Sequence, residues 1–175
     1  NKRVVDFGCA TGYFAKLLRE EGCEVVGVEL NPEAAEVAVE YCEKVVVADL
    51  DYVKIEEILE GQIFDVATFG DVLEHIKNPW RLLKAVRKVL APDGFVVASI
   101  HNIAHGAVRL SLLEGEFEYR EVGLLDNTHL RFFTRSSVGQ LFSESGYSIQ
   151  KEDTVPWPIY NSTHSTPNLN KDDIP

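Results

Sequence analysis

Two glycines and three acids carry the first chemical signal in the sequence. Val4-Val5-Asp6-Phe7 is an apolar run that ends at Gly8, and Gly12 follows before Phe14, Leu17 and Leu18 at helical spacing. Glycine at position 8 lets the chain turn sharply off a strand, and glycine at 12 lets backbone approach a ligand or the sheet. The helix that follows points its N-terminal amides at the same spot, which favours a carboxylate or phosphate there. Position 10 is Ala, so the spacing is G-x-x-x-G rather than the G-x-G-x-x-G that receives a dinucleotide pyrophosphate. Glu29 ends the next apolar run and Asp49 the one after it. In open parallel sheets ligands bind outside the carboxyl ends of the strands, where an acid can take both hydroxyls of a ribose. Asp6, Glu29 and Asp49 are therefore expected to converge on one rim.

Histidines supply the second signal. His75 closes the run Asp71-Val72-Leu73-Glu74-His75, and His129 lies in Asp126-Asn127-Thr128-His129-Leu130-Arg131-Phe132-Phe133-Thr134. An unperturbed imidazole titrates near neutrality, so His75 and His129 head the candidates for a catalytic base. Each also reads as a histidine that merely fixes its loop. His101 and His105 are four residues apart and could share a metal on a helix, but no third ligand stands at an obvious spacing. Cys9, Cys23 and Cys42 form no CxxC pair, so a structural zinc site lacks its usual ligands and no metal is expected. An odd cysteine count without close pairing suggests a reducing, cytoplasmic compartment.

The elements that must position these residues alternate regularly. Strand patterns at Val4–Phe7, Glu24–Leu30, Val45–Ala48, Ile63–Phe69 and Phe95–Ile100 are separated by helical patterns. Asn31-Pro32 and Asn78-Pro79 each supply an N-cap and an N1 proline; a short helix is expected over 53–60 and a turn at Pro92-Asp93-Gly94. Val- and Ile-rich strands alternating with amphipathic helices predict an α/β fold, a Rossmann-like doubly wound and mostly parallel sheet. Residues 101–133 break the rhythm and read as an insertion on the acceptor side of the site. Thr134 or Ser136 then caps a helix ending near Gly146, Tyr147–Val155 reads as a sixth strand, and 156–175 as coil or tail. One domain over 1–155 is the expected organisation.

Composition narrows the function. An apolar share of 45% and a charged share of 26% suit an ordinary globular domain. No run approaches the ~20 apolar residues of a membrane span, and no basic-then-apolar leader is present. A formal net charge of −11, with Lys and Arg scattered, disfavours a nucleic-acid partner.

Taken as an ordered set, Asp6-Phe7-Gly8-Cys9-Ala10-Thr11-Gly12, Glu29, Asp49, Phe64-Asp65-Val66 and Asp71-Val72-Leu73-Glu74-His75 resemble the class I S-adenosylmethionine-dependent methyltransferases. The likeness is to the small-molecule branch that includes the ubiquinone-biosynthesis O-methyltransferases. It implies S-adenosyl-L-methionine as cofactor and a small-molecule acceptor, methylated at oxygen. It implies that backbone from Gly8 through Cys9 to Gly12 holds the methionine part, with Asp6 near its ammonium. Glu29 then takes the ribose hydroxyls, Leu30 packs on the adenine, Asp49 accepts from the adenine amino group with the Leu50 amide nearby, and Gly70 offers backbone to the methionine portion. A rim of carboxylates suits the cofactor's sulfonium and ammonium. The same likeness leads us to expect a helix ahead of the first strand and a seventh, antiparallel strand; neither is legible in the sequence, which suggests a fragment. The rivals are a methyltransferase-like partner domain without catalysis and a nicotinamide-dependent oxidoreductase, the latter disfavoured by Ala10.

Overall fold

The computed structural model describes residues 1–155, and the stretch read as tail, 156–175, lies outside them. Five strands, β1 (Arg3–Phe7), β2 (Glu24–Glu29), β3 (Lys44–Val47), β4 (Phe64–Gly70) and β5 (Leu90–Ser99), form one sheet in the order β3-β2-β1-β4-β5. Every neighbouring pair is parallel, as the Val- and Ile-rich runs predict. The chain leaves β1 toward β2 on one side and returns to β4 on the other. That reversal opens a crevice at the carboxyl ends of β1 and β4, the topological switch point of such sheets.

Helices α1 (Tyr13–Glu20), α2 (Pro32–Ala38), α3 (Ile55–Ile58) and α4 (Pro79–Val86) make the crossovers. The two Asn-Pro starts behave as read: Asn31 Oδ1 accepts from the Glu33 and Ala34 amides, and Asn78 Oδ1 from the Arg81 amide. Alternation along each strand divides the interior in two. Val5, Phe7, Val28, Ala67 and Phe69 pack under Leu73, Leu82, Leu83 and Val86, with Phe7 and Phe69 stacked at 4.9 Å. Val4, Val25 and Val66 pack on the opposite face against Ala15, Ala38, Cys9 and Cys42. Fully burying a side chain such as Leu83 contributes roughly 1.5–3 kcal/mol.

Two expectations are corrected. The turn at Pro92-Asp93-Gly94 lies inside β5: Phe64 pairs with Leu90 and Val66 already with Phe95, so Ala91–Gly94 bulge out of the ladder. Tyr147–Val155 forms no strand. Only Tyr147 packs inward, its hydroxyl donating to the Leu83 carbonyl at 2.8 Å, while Ile149 is 48% exposed; an alternating pattern without a buried face gives a strand nothing to hold it.

The segment 101–133 contains α5 (Gly106–Leu113), started by His105, whose Nδ1 accepts from the Ala107 amide. Its return leg docks on the turn after β4, where the Leu130 and Arg131 amides both donate to the Glu74 carbonyl at 2.9 Å. The last helix among the described residues, α6 (Arg135–Glu144), starts in a capping box between Thr134 and Ser137. No helix among the described residues is long and apolar enough to cross a membrane.

Candidate functional site

The predicted acids do meet at one edge. Gly8 follows β1 with φ +72° and Gly12 caps α1 with φ +80°, so both glycines occupy the left-handed region. Ala10 between them also has positive φ, 47°, and the loop is held there by Glu29. One Glu29 carboxylate oxygen accepts from the Ala10 amide and the other from the Asn31 amide, each at 2.8 Å. Glu29 therefore braces the glycine loop against the end of β2, a role the sequence did not reveal. Both oxygens keep a lone pair for a further donor.

Asp6 is 3% exposed, and its Oδ1 accepts from the Thr68 hydroxyl at 2.6 Å. Burial, with the Glu29 charge adding a smaller push, raises its carboxyl to about 6, although the Thr68 hydrogen bond works the other way. The folded state thus favours the protonated form. The stability this confers is fully present below the ordinary value of 3.8 and is lost as pH rises through about 6. Relative to Asp6→Asn, the wild-type chain should lose on the order of 1 kcal/mol between pH 5 and pH 7 in urea unfolding without ligand. Parallel stability profiles for the two proteins would contradict this burial effect.

Further along the rim, Asp49 Oδ1 accepts from the Asp51 amide at 2.9 Å, and an Arg81 guanidinium nitrogen donates to the Leu50 carbonyl at 3.0 Å, fixing the loop after β3. Leu50 is buried, whereas Leu30, just after β2, is 63% exposed. At the end of β4, nothing lies within 4 Å of where a Gly70 Cβ would stand, and Asp71 takes φ 53°. Its amide bonds to Ser99, whose hydroxyl returns a hydrogen bond to the Asp71 carboxylate at 2.7 Å. A non-glycine residue held in that conformation is strain of the kind that gathers at ligand sites.

The histidines gather beside this crevice. His75 Nδ1 lies 3.2 Å from the Thr128 carbonyl and 3.1 Å from its hydroxyl. His129 is 7% exposed and packs edge-on against His75 at 4.8 Å and tilted against His101 at 5.2 Å. Burial, then the His75 charge, holds the His129 imidazole below its usual range, so it stays neutral near pH 7. Aromatic contacts continue outward from His129 to Phe132 and on to Phe117 and Tyr119, centroids 5.5–6.3 Å apart. His101 meets Glu74 rather than His105: its Nδ1 is 2.8 Å from the Glu74 carboxylate. Glu74 was legible only as part of a motif. The 3-10 turn Leu73–His75 turns its side chain inward, to 1% exposure.

A parallel sheet of this order, with a G-x-x-x-G turn and strand-end acids at the switch point, is the class I methyltransferase architecture. The chain belongs to the methyltransferase domain family whose model matches residues 1–152. Among its relatives is the ubiquinone biosynthesis O-methyltransferase of Acinetobacter baylyi, 24% identical over 153 residues, which cover 85% of this chain and 64% of that protein. The enzyme of the same name from Psychrobacter arcticus is 26% identical over 155 residues, covering 85% and 60%. The chain thus spans less than two thirds of the length of these two relatives. Among solved structures, an S-adenosylmethionine-dependent methyltransferase from Mesorhizobium loti matches the fold with a TM-score of 0.66, at 22% identity over 86% of this chain and 76% of that one.

The cofactor of this family is S-adenosylmethionine, and the residues present fit it. Free lone pairs on Glu29 suit a pair of ribose hydroxyls. The exposed apolar side chain of Leu30 offers a surface for a flat base, and the open space at Gly70 admits a ligand close to backbone.

Proposed function

We propose that this chain moves a methyl group from S-adenosylmethionine to a small organic acceptor, at an oxygen. The observation that carries the reading is the aromatic wall, His129, Phe132, Phe117 and Tyr119, docked beside the crevice at the switch point. Pockets for organic ligands combine such apolar walls with a few placed polar groups. The cofactor supplies an electrophilic methyl on a sulfonium, a good leaving group.

In this reading backbone from Gly8 through Cys9 to Gly12 and at Gly70 holds the methionine portion, and Asp6 faces its ammonium. Glu29 accepts from the ribose hydroxyls, Leu30 packs on the adenine, and Asp49 with the Leu50 amide reads its edge. Most of the acceleration comes from aligning acceptor and methyl, for which effective molarities reach on the order of 10⁵–10⁸ M. His75, half-buried and held by Thr128, receives the proton of an acceptor hydroxyl, and buried His129 keeps its ring in place. The relatives' printed names, O-methyltransferases of ubiquinone biosynthesis, support oxygen as the methylated atom.

The test is methyl transfer from labelled S-adenosylmethionine to a panel of phenols and alcohols. Tyr119 is 57% exposed at the end of the wall, so Tyr119→Ala should leave S-adenosylhomocysteine affinity within about twofold. The same variant should raise the acceptor KM about tenfold, the scale of one lost aromatic contact with its buried area. Wild-type acceptor kinetics in Tyr119→Ala would remove the wall from the acceptor site.

A further inference from the structure

The carboxylate of Glu74 is incompletely satisfied. Its Oε1 receives His101 Nδ1 at 2.8 Å and the His101 amide at 3.3 Å, whereas Oε2 is buried and has no hydrogen-bond partner among the described residues. A buried carboxylate oxygen left without a donor costs more than most hydrogen bonds return, and a cation bound there would satisfy it. Around it stand His101, half-buried two residues after β5, and His129, buried in the docked return leg of 101–133. One ligand atom from each of Glu74, His101 and His129 lies within 4.8 Å of the others.

We infer that Glu74, His101 and His129 form a binding site for one divalent cation of the zinc type. Two imidazoles and one carboxylate are a donor set that such borderline cations take, with bonds of about 2.0–2.2 Å. Bonds of that length place ligand atoms about 3.0–3.5 Å apart, so small side-chain rotations complete the site. The three ligands come from three separate chain segments, which is why spacing along the sequence does not disclose them. Backbone already holds them in register. The Leu130 and Arg131 amides, immediately after His129, both bond the Glu74 carbonyl, support of the kind that orients metal ligands. His105, the other member of the local histidine pair, is turned to the start of α5.

Three protein ligands leave a coordination position free for water or an oxygen of the acceptor. That use of the position rests on the methyl-transfer reading; the binding of the cation does not. The test takes the full chain, treated with chelator and dialysed, and titrates Co²⁺ and then Zn²⁺ without acceptor. One equivalent of Co²⁺ should bind with visible d–d absorption and be displaced by Zn²⁺. Glu74→Gln, His101→Ala and His129→Ala should each weaken Zn²⁺ binding at least 30-fold, and His105→Ala should leave it unchanged. His101 is half-buried in the connection after β5, so its variant keeps the test valid even where a buried substitution unfolds the domain. S-adenosylhomocysteine affinity, measured on the same preparations, reads the methyl-transfer assignment separately. Absence of stoichiometric binding, or Zn²⁺ held equally well by His101→Ala, overturns the site and leaves that assignment standing.

Discussion

Replacing Glu29 with alanine is expected to weaken S-adenosylhomocysteine binding about 100-fold while changing the stability of the ligand-free chain by no more than about 1 kcal/mol. The affinity loss has two sources. Hydrogen bonds to a charged group are worth about 1.5–3 kcal/mol, and the variant loses those to the ribose hydroxyls. It also loses the brace on the Ala10 and Asn31 amides, which holds Ala10 at φ 47° and keeps the glycine loop shaped before ligand arrives. About 3 kcal/mol in total corresponds to about 100-fold in the dissociation constant. Stability changes little because both amides are exposed and can turn to water. Glu29→Gln keeps one acceptor oxygen and loses the charge, so its affinity should fall between the two, near tenfold. Calorimetric affinity within threefold of wild type in Glu29→Ala would place the ribose elsewhere.

That residue also shows how far the sequence could be read. Strand ends were legible because Val4-Val5, Val25-Val26 and Val45-Val46 are apolar runs closed by Asp6-Phe7-Gly8, Glu29 and Asp49, and parallel pairing brings such ends to one edge by itself. What each acid then touches depends on a loop from another segment, so the Glu29 bond to Ala10 was invisible. The same limit hid the arrangement of 101–133. Phe117 and Phe132 meet across a loop, and Leu130 docks on Glu74 by backbone amides, contacts that leave no periodicity in the sequence. Glu74 and His101 were in plain view, yet the direction of a side chain on a 3-10 turn follows from the turn, not from its neighbours in the motif. Period-two patterning misled at Ile149, where alternation exists but no second layer covers it. Pro92-Asp93-Gly94 kept its turn chemistry, but the ladder resumes around it, so a local breaker became a bulge within β5.

The glycine turn itself should be the least tolerant point of the site. Gly8→Ala is expected to destabilise the domain by about 3 kcal/mol and to weaken S-adenosylhomocysteine binding with it. Two costs contribute. At φ +72° an L-residue pays about 1–2 kcal/mol for the left-handed conformation. The added methyl would also sit 2.5 Å from Val72 Cγ2, a contact that must be relieved by movement, and overpacking of this kind costs about 1–3 kcal/mol. The loop has little room to move, because the Gly8 and Cys9 amides both bond the Val28 carbonyl, at 2.7 and 3.2 Å. Relief therefore has to come from Val72, which precedes the turn bearing Glu74 and His75, so a single methyl at position 8 disturbs the cofactor loop and the histidine cluster together. A double-mutant cycle separates the two costs. Val72→Ala removes the clashing methyl, so Gly8→Ala measured in that background should cost only the conformational part, and the cycle should return a favourable coupling of about 1–2 kcal/mol in urea unfolding. Additive costs would mean that the left-handed conformation alone, without the close approach of Val72, demands glycine at the head of this loop.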